Sequence, residues 1–213
     1  MPAIPSRPAL VALVALLAGC STLGAIGDAA SPLDAYELRA PADGPVADAG
    51  PRPVDFVVDL PVAGGAINTD RILVRPATTQ VQYLPDARWI EPAPEMLQSA
   101  LVAGLERSGA FRFVGRRPLA AVGDITLVSN LIDFEAALVP GGEGAVVRVR
   151  FTARLVRDED AAVLRTRTFE ASAPAADTAT ATLVDAFDRA TASVLREVLD
   201  WVLRSQGLRP RQA

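Results

Sequence analysis

The single cysteine of the chain, Cys20, places the strongest limit on how its 213 residues can fold. One cysteine cannot form an intrachain disulfide, and it cannot supply a cysteine-based zinc site. The folded part must therefore be stabilised by its own apolar core, and half of all residues are hydrophobic. The length that follows Cys20 is ordinary for one domain and short for two.

The residues before Cys20 have the anatomy of a bacterial lipoprotein signal. A short segment carrying Arg7 precedes an apolar run over residues 9–17, and a spanning helix would need about 20 such residues. The sequence Leu-Ala-Gly-Cys then ends at Cys20 and matches the lipobox pattern. We predict a signal peptide over residues 1–19 and cleavage before Cys20. An ordinary secretory signal with a chance cysteine is the alternative.

The lipobox predicts a covalent diacylglyceryl group and an acyl chain, such as palmitate, on Cys20, and no other cofactor. Two or more buried chains make membrane anchoring stable. Residues 20–33 are rich in Gly, Ala and Ser, which is typical of a flexible tether of at most about 45 Å when extended. Ser21 favours the periplasmic face of the outer membrane, because an aspartate at that position retains many lipoproteins at the inner membrane. The inner membrane stays open as an alternative.

The remaining pattern predicts one domain over residues 34–208 and a C-terminal tail over residues 209–213. Two amphipathic helices are predicted at Pro94–Ser108 and Thr180–Gln206. The predicted strands are 34–39, 54–60, 71–75, 79–83, 111–114, 124–139, 147–155 and 162–172, with a loop at 41–53 and a bulge near Ser129-Asn130. This order favours an α/β or α+β sandwich, in which a mixed, largely antiparallel sheet carries two main helices.

The composition leaves few routes to catalysis. All 21 basic residues are arginine, and the chain has no histidine and no lysine. A Ser-His-Asp triad, a Schiff base and a P-loop lysine are therefore excluded. Asp133 and Glu135 face the same side of one predicted strand, which favours a sheet surface over a glycosidase pair. We predict that the chain is not an enzyme and has no metal site.

Charge gives further limits on the partners. The net charge of −4 and the lack of a long basic run make nucleic acid a poor partner. Asp158-Glu159-Asp160 is interpreted as a solvated hairpin turn. A stripe of arginines on two neighbouring strands is interpreted as a solvated sheet face, with acidic side chains or phospholipid head groups as alternative partners: Arg148, Arg150 and Arg154, with Arg165 and Arg167.

Four residues are candidates for binding a partner protein: Asp70, Arg71, Arg88 and Trp89. Arginine and tryptophan are enriched at the centres of protein interfaces. The alternative for Asp70 and Arg71 is a structural ion pair that fixes the loop into its strand. The alternative for Trp89 is packing in the core, which we favour because large apolar side chains are mostly buried.

Several short elements together resemble the ABC-type transport auxiliary lipoproteins, the group that includes the lipoprotein of the Pqi intermembrane transport system. They are Tyr36-Glu-Leu38, Asp70-Arg-Ile72, Tyr83, Arg88-Trp89, a proline-led helix with Leu97 and Leu101, and Ser108-Gly109 before Phe111. Leu84 departs from the family pattern, where a second aromatic residue often follows the tyrosine.

The resemblance implies a domain like the amino end of the TolB protein. It also implies work beside an ABC permease, an ATPase and a periplasmic MCE-domain protein that move lipids between membranes. In such a system the lipoprotein would dock the MCE component at the outer membrane. A periplasmic lipid carrier with its own apolar cavity is the alternative function.

Overall fold

A computed structural model describes residues 32–117 and 123–212 of the chain. The predicted signal peptide, Cys20, Ser21 and the tether as far as residue 31 lie outside these ranges. The described strands and helices, in chain order, are β1 (Asp34–Tyr36), β2 (Pro45–Ala47), β3 (Arg52–Val58), β4 (Val62–Ala63), β5 (Arg71–Ala77), β6 (Gln80–Trp89), α1 (Ala93–Ser108), β7 (Phe111–Arg116), β8 (Ile125–Leu138), β9 (Ala145–Arg157), β10 (Ala162–Ala175), α2 (Thr180–Ser205) and β11 (Pro210–Gln212).

The long strand β8 is the centre of the main sheet. One edge of β8 pairs with antiparallel β9 along its whole length, and β9 pairs in turn with antiparallel β10. The other edge takes three parallel strands in succession: β3 opposite residues 125–127, β4 opposite 130–131 and β5 opposite 136–137. The described strands thus form an open, mixed sheet, as predicted.

The sheet divides into two arms on the β3–β5 side of β8. In the first arm β3 pairs with β7, and in the second β5 pairs with β6, which pairs with β1. We call the region between the arms the fork and define it as residues 59–70, which include β4. At the end of β3 the buried Gln98 side chain of α1 donates a hydrogen bond of 2.9 Å to the carbonyl oxygen of Val58. That bond satisfies a backbone acceptor where the pairing of β3 ends.

Both helices begin and end close to the predicted residues. Pro94 lies in the first turn of α1, and Gly109 ends this helix with φ of 62°, a left-handed conformation that suits glycine. The apolar stripe of α2 packs on β9 and β10, while α1 packs on β3 and β7. The helices also contact each other, because a Cβ atom at Gly104 would lie only 2.6 Å from Cδ1 of Leu199. The prediction of two helices on one sheet is confirmed.

The structure differs from the sequence prediction in two short strands, β2 and β11, which form a small ribbon. Residues 41–53, predicted as a loop, contain β2, and residues 209–213, predicted as a tail, contain β11. These two strands pair antiparallel as a separate two-stranded sheet. The pairing joins segments about 160 residues apart, so no local period in either segment could show it.

The bulge of β8 also lies further along the strand than predicted. The register with β9 shifts between Leu131 and Asp133, so that Ile132 is the inserted residue. Ser129 and Asn130, where the bulge was predicted, remain paired with Ala153 and Thr152. The break in alternation is visible in the sequence, but its position depends on the partner strand.

We expect Gly144→Ala to destabilise the fold by about 1–3 kcal/mol, because overpacking forces backbone shifts. A Cβ atom at this position would lie 2.5 Å from the carbonyl oxygen of Ala175. The midpoint of urea unfolding measures the change. Gly50→Ala is the matched control, since a Cβ atom at Gly50 meets nothing within 4 Å. Equal midpoints for the two variants would contradict the close approach at Gly144.

Candidate partner-binding site

Asp70 and Arg88 form an ion pair where β5 begins and β6 ends. Arg88 Nη1 lies 3.4 Å from Asp70 Oδ2, and both side chains are about two-fifths exposed. Exposed pairs of this kind contribute little to stability. The backbone is held more tightly, because the Trp89 amide donates to the Asp70 carbonyl oxygen at 2.6 Å. The structure therefore gives Asp70 a different partner from Arg71, its neighbour in sequence.

Arg71 fills a large bulge in β6. Between the pairs Leu73–Tyr83 and Arg71–Arg88, β5 advances by two residues and β6 by five. The Arg71 guanidinium donates a hydrogen bond of 3.0 Å to the carbonyl oxygen of Leu84, inside the bulge. It also lies 5.9 Å from the centre of the Tyr83 ring, within range of a cation–π contact. The half-buried Arg71 thus supports the local backbone and holds Tyr83.

Trp89 is fully buried and lies in the core. Its ring centre is 5.8 Å from that of Phe134 on β8 and 5.3 Å from that of Phe187 on α2. Phe134 and Phe187 also contact each other, with ring centres 4.9 Å apart. Core packing, the favoured interpretation of Trp89, is what the structure shows. Trp89 consequently has no surface with which to contact a partner protein.

A set of exposed apolar side chains borders the fork, with Tyr83 beside Arg71. We call it the fork patch and define it as Val62, Tyr83 and Ile132, whose exposed fractions are 64%, 37% and 41%. Val62 pairs with Asn130, two residues before Ile132 on β8. The Tyr83 hydroxyl donates to the carbonyl oxygen of Ala66 at 3.2 Å, which places the ring over the fork loop.

The fork patch is the part of the site that sequence reasoning missed. Val62 and Ile132 were not candidates, because the apolar residues of a strand are normally assigned to its buried face. The signal for Ile132 was the break in alternation along β8, since an inserted residue at a bulge is turned away from the regular pattern.

The two carboxylates of β8 are neutralised by arginines on neighbouring strands. Asp133 lies 2.7 Å from Arg150 on β9, and Glu135 lies 2.7 Å from Arg75 on β5. Hydrogen bonding to Glu135 raises the pKa of Arg75 above its ordinary range. Each carboxylate has its own cation, so the pair is a cross-strand charge ladder. The two carboxylates therefore lie on one sheet without forming a glycosidase pair, but Glu135 is buried, at 4% exposed, and is not at the surface.

The predicted arginine stripe is divided between the two faces of the sheet. Arg148 and Arg150 alternate with the buried positions of β9 and point away from the helices. Arg167 on β10 is paired with Ala153, a buried position, and so lies on the helix side. There it is 3.8 Å from Glu197 of α2 and 4.9 Å from the centre of the Phe169 ring. The prediction of one continuous stripe was wrong, because strand register decides which residues share a face.

Residues 158–160 form a turn, as predicted, and Glu159 and Asp160 are exposed. The exception to the predicted solvation is Asp158. Its side chain is 13% exposed and accepts hydrogen bonds from Thr126 at 2.6 Å and from Arg117 at 2.9 Å. Arg117 also contacts Asp59 at 3.2 Å. This cluster ties the end of β9 to the start of β8 and to the segment after β3. It stabilises the first arm of the sheet at its open end.

No cluster of acidic, histidine or cysteine side chains suited to a metal ion occurs in residues 32–117 and 123–212. No helix within these ranges combines the length and apolar character needed to cross a membrane. A groove of about 380 Å³ lies between α1 and the segment after β1. The groove is open, and charged residues line it together with Ile90 and Met96: Glu37, Arg39, Glu91 and Arg107.

Residues 36–199 match the model of the family described as ABC-type transport auxiliary lipoprotein component. The chain belongs to this family. The match spans most of the domain and confirms the resemblance stated from the sequence. Membership makes the chain a lipoprotein associated with an ABC transport system, in agreement with the lipobox at Cys20. The search of curated proteins gave no match.

Two solved structures resemble the chain over most of its length. A Xanthomonas campestris protein of the DUF330 family is 28% identical, with a TM-score of 0.71, and the alignment covers 83% of this chain and 97% of that one. An uncharacterised protein is 15% identical, with a TM-score of 0.60, and the alignment covers 81% and 99% of the two chains. At that lower identity the likeness shows the fold alone.

We expect Arg71→Met to destabilise the protein by about 1–3 kcal/mol, because the bulged Leu84 carbonyl loses its charged donor. Urea unfolding monitored by circular dichroism measures the loss. Arg165→Met is the matched control, because Arg165 is exposed and its guanidinium has no hydrogen bond to a described residue. A loss no larger than in the control would show that Arg71 has no structural role.

We expect Trp89→Ala to destabilise the protein by about 3–5 kcal/mol, the usual cost of removing a large buried aromatic side chain. Thermal and urea unfolding both report this change. Phe113→Ala serves as the control, because Phe113 is 49% exposed. A Trp89→Ala protein as stable as Phe113→Ala would contradict the core position of Trp89.

Proposed function

We propose that the chain is a non-enzymatic accessory lipoprotein of an ABC/MCE-type intermembrane lipid transport system. In this proposal it docks the periplasmic MCE component at the outer membrane, beside the ABC permease and ATPase of the same system. The family match over residues 36–199 is the observation that carries the proposal. The lipobox at Cys20, with its covalent lipid, and Ser21 support an outer-membrane anchor on the periplasmic side.

A docking role needs a surface that a partner protein can cover. The fork patch offers three apolar side chains in a polar surrounding, with the Arg71 guanidinium beside Tyr83. Tyrosine and arginine are enriched at binding hot spots. Asp70 and Arg88 lie at the same end of the β5–β6 arm. These three charged candidates from the sequence therefore border the fork, while Trp89 lies in the core.

The features of the structure favour docking over a lipid carrier. A carrier needs an enclosed apolar cavity that covers most of its ligand. Three grooves in the described ranges are open, and each is lined in part by charged side chains. One of them, of about 240 Å³, has Asp43, Arg167 and Glu197 in its lining. An acyl chain gains little by entering such a groove.

The test is an affinity pull-down of the acylated full-length chain from solubilised envelopes. We expect the unmutated chain to recover an MCE-domain protein. The double variant Val62→Asp/Ile132→Asp should recover at least tenfold less of it, because the introduced carboxylates would be buried in the interface and the loss of a hot spot costs about 2 kcal/mol. Val163→Asp is the matched control, since Val163 is 58% exposed and lies on β10, away from the fork.

Two outcomes separate the parts of this proposal. A correctly acylated chain that recovers no MCE-domain protein would contradict the docking role. Equal recovery by the double variant and the unmutated chain would agree with docking but show that the fork patch is not the docking surface. A Cys20→Ala chain should lose the partner in cells, and fractionation of the envelopes should place the acylated chain in the outer membrane.

A further inference from the structure

The arginines of this chain are mostly engaged within the fold. Eleven of them form ion pairs. Three more donate hydrogen bonds to oxygen atoms of uncharged groups. Within residues 32–117 and 123–212, six arginines have neither kind of contact from the guanidinium: Arg52, Arg148, Arg154, Arg165, Arg209 and Arg211.

Three of these six lie on adjoining segments at one corner of the molecule, which we call the arginine corner and define as Arg52, Arg209 and Arg211. The β2–β11 ribbon brings the end of the chain to this place, with Arg211 paired to Val46. The Arg209 amide donates to Asp48 Oδ1 at 3.0 Å. Arg52 begins β3, and its guanidinium lies 3.3 Å from the Cβ position of Gly207. All three arginine side chains are exposed.

The corner carries an uncompensated positive charge in a chain whose net charge is −4. Asp48 is the carboxylate tied to the corner, and one of its oxygen atoms already accepts the Arg209 amide. Eleven other described arginines are balanced by carboxylates, some of them across strands or along helices, and the three remaining unpaired arginines lie on β9 and β10: Arg148, Arg154 and Arg165. A local excess of arginine attracts an anionic partner.

We propose that the arginine corner contacts an anionic phospholipid surface and so orients the lipid-anchored domain on its membrane. Clustered arginines near a membrane anchor bind anionic head groups. Segments 44–52 and 207–212 contain no exposed large apolar side chain, whereas protein interfaces are built around such anchors. The corner therefore fits head groups better than an acidic protein segment. The contact would act in addition to the docking surface at the fork.

The lipid anchor makes this contact geometrically accessible. A tether over residues 20–33 reaches at most about 45 Å when extended. A domain of this size has a radius of gyration near 16 Å, by the usual scaling with length. An extended tether of this length exceeds the radius of the domain, so the domain can present more than one face to the bilayer. The charge on the surface, rather than the reach of the tether, then decides which face is turned towards the membrane.

The test uses the acylated full-length chain in vesicles with a headgroup quencher. Acylation consumes Cys20, so an added cysteine is the only free thiol. Gly50→Cys places a fluorophore beside the corner, and Gly65→Cys places one in the fork loop. Both positions are exposed, with open space around the new side chain. We expect quenching at position 50 in phosphatidylglycerol-containing vesicles, and much less at position 65 or with phosphatidylcholine as the sole added lipid.

Charge removal identifies the residues responsible. Each arginine contributes about fivefold to surface binding, so Arg52→Gln/Arg209→Gln/Arg211→Gln should weaken the oriented state by about a hundredfold. Arg148→Gln/Arg154→Gln/Arg165→Gln removes the same charge elsewhere and should leave quenching unchanged. Salt at about 1 M should abolish the quenching of the unmutated protein, because the Debye length falls to about 3 Å.

Three results would overturn the proposal. They are equal quenching with and without phosphatidylglycerol, equal loss in the two triple variants, and quenching that resists salt. If the corner variant loses the MCE-domain protein in the pull-down while its quenching is unchanged, the corner binds an acidic protein segment instead. A failure of the docking role would leave this vesicle measurement unaffected, so the two proposals can fail separately.

Discussion

The pairing of β8 is the constraint on which the rest of the structure depends. One edge of β8 pairs with β9 over its full length, and the other edge pairs with β3, β4 and β5 in turn. Three parallel partners on one edge cannot all continue the same flat sheet, so the sheet divides into two arms. Gln98 caps the β3 arm, and Arg117 with Asp158 closes it. The apolar fork patch exists because this division leaves β4 only two residues long.

Charge on the two faces of the sheet is arranged differently. On the face away from the helices the carboxylates of β8 are neutralised by arginines of neighbouring strands, as in the Asp133–Arg150 pair. A face whose charges neutralise each other attracts no partner over a distance. The fork patch and the arginine corner depart from this balance, the first by exposing apolar side chains and the second by exposing charge. A docking protein and a membrane would thus meet separate surfaces.

The helices and most strands were predictable because their signals are local. Pro94 and Gly109 mark the ends of α1, and the helical spacing of Leu183, Phe187 and Val194 marks the buried stripe of α2. Register was not predictable in the same way. Arg165 and Arg167 were predicted to belong to a solvated stripe, but they lie on the helix side of the sheet. The reason is a register shift between Val163 and Arg165, which turns the following residues of β10 to the other face. The turn at residues 158–160 was predictable, but only the folded chain brings Arg117 to Asp158.

The sequence by itself determined the class of the molecule: a chain with one cysteine, no histidine and no lysine, with a lipobox and a family pattern spread over most of its length. These are properties of residue type and local spacing, which need no fold to be recognised. Only the tertiary structure decided that Trp89 is buried between Phe134 and Phe187 and that Asp70 pairs with Arg88. It also decided that Arg52 meets the end of the chain. Each of these contacts joins residues whose distance in space is set by strand order and register.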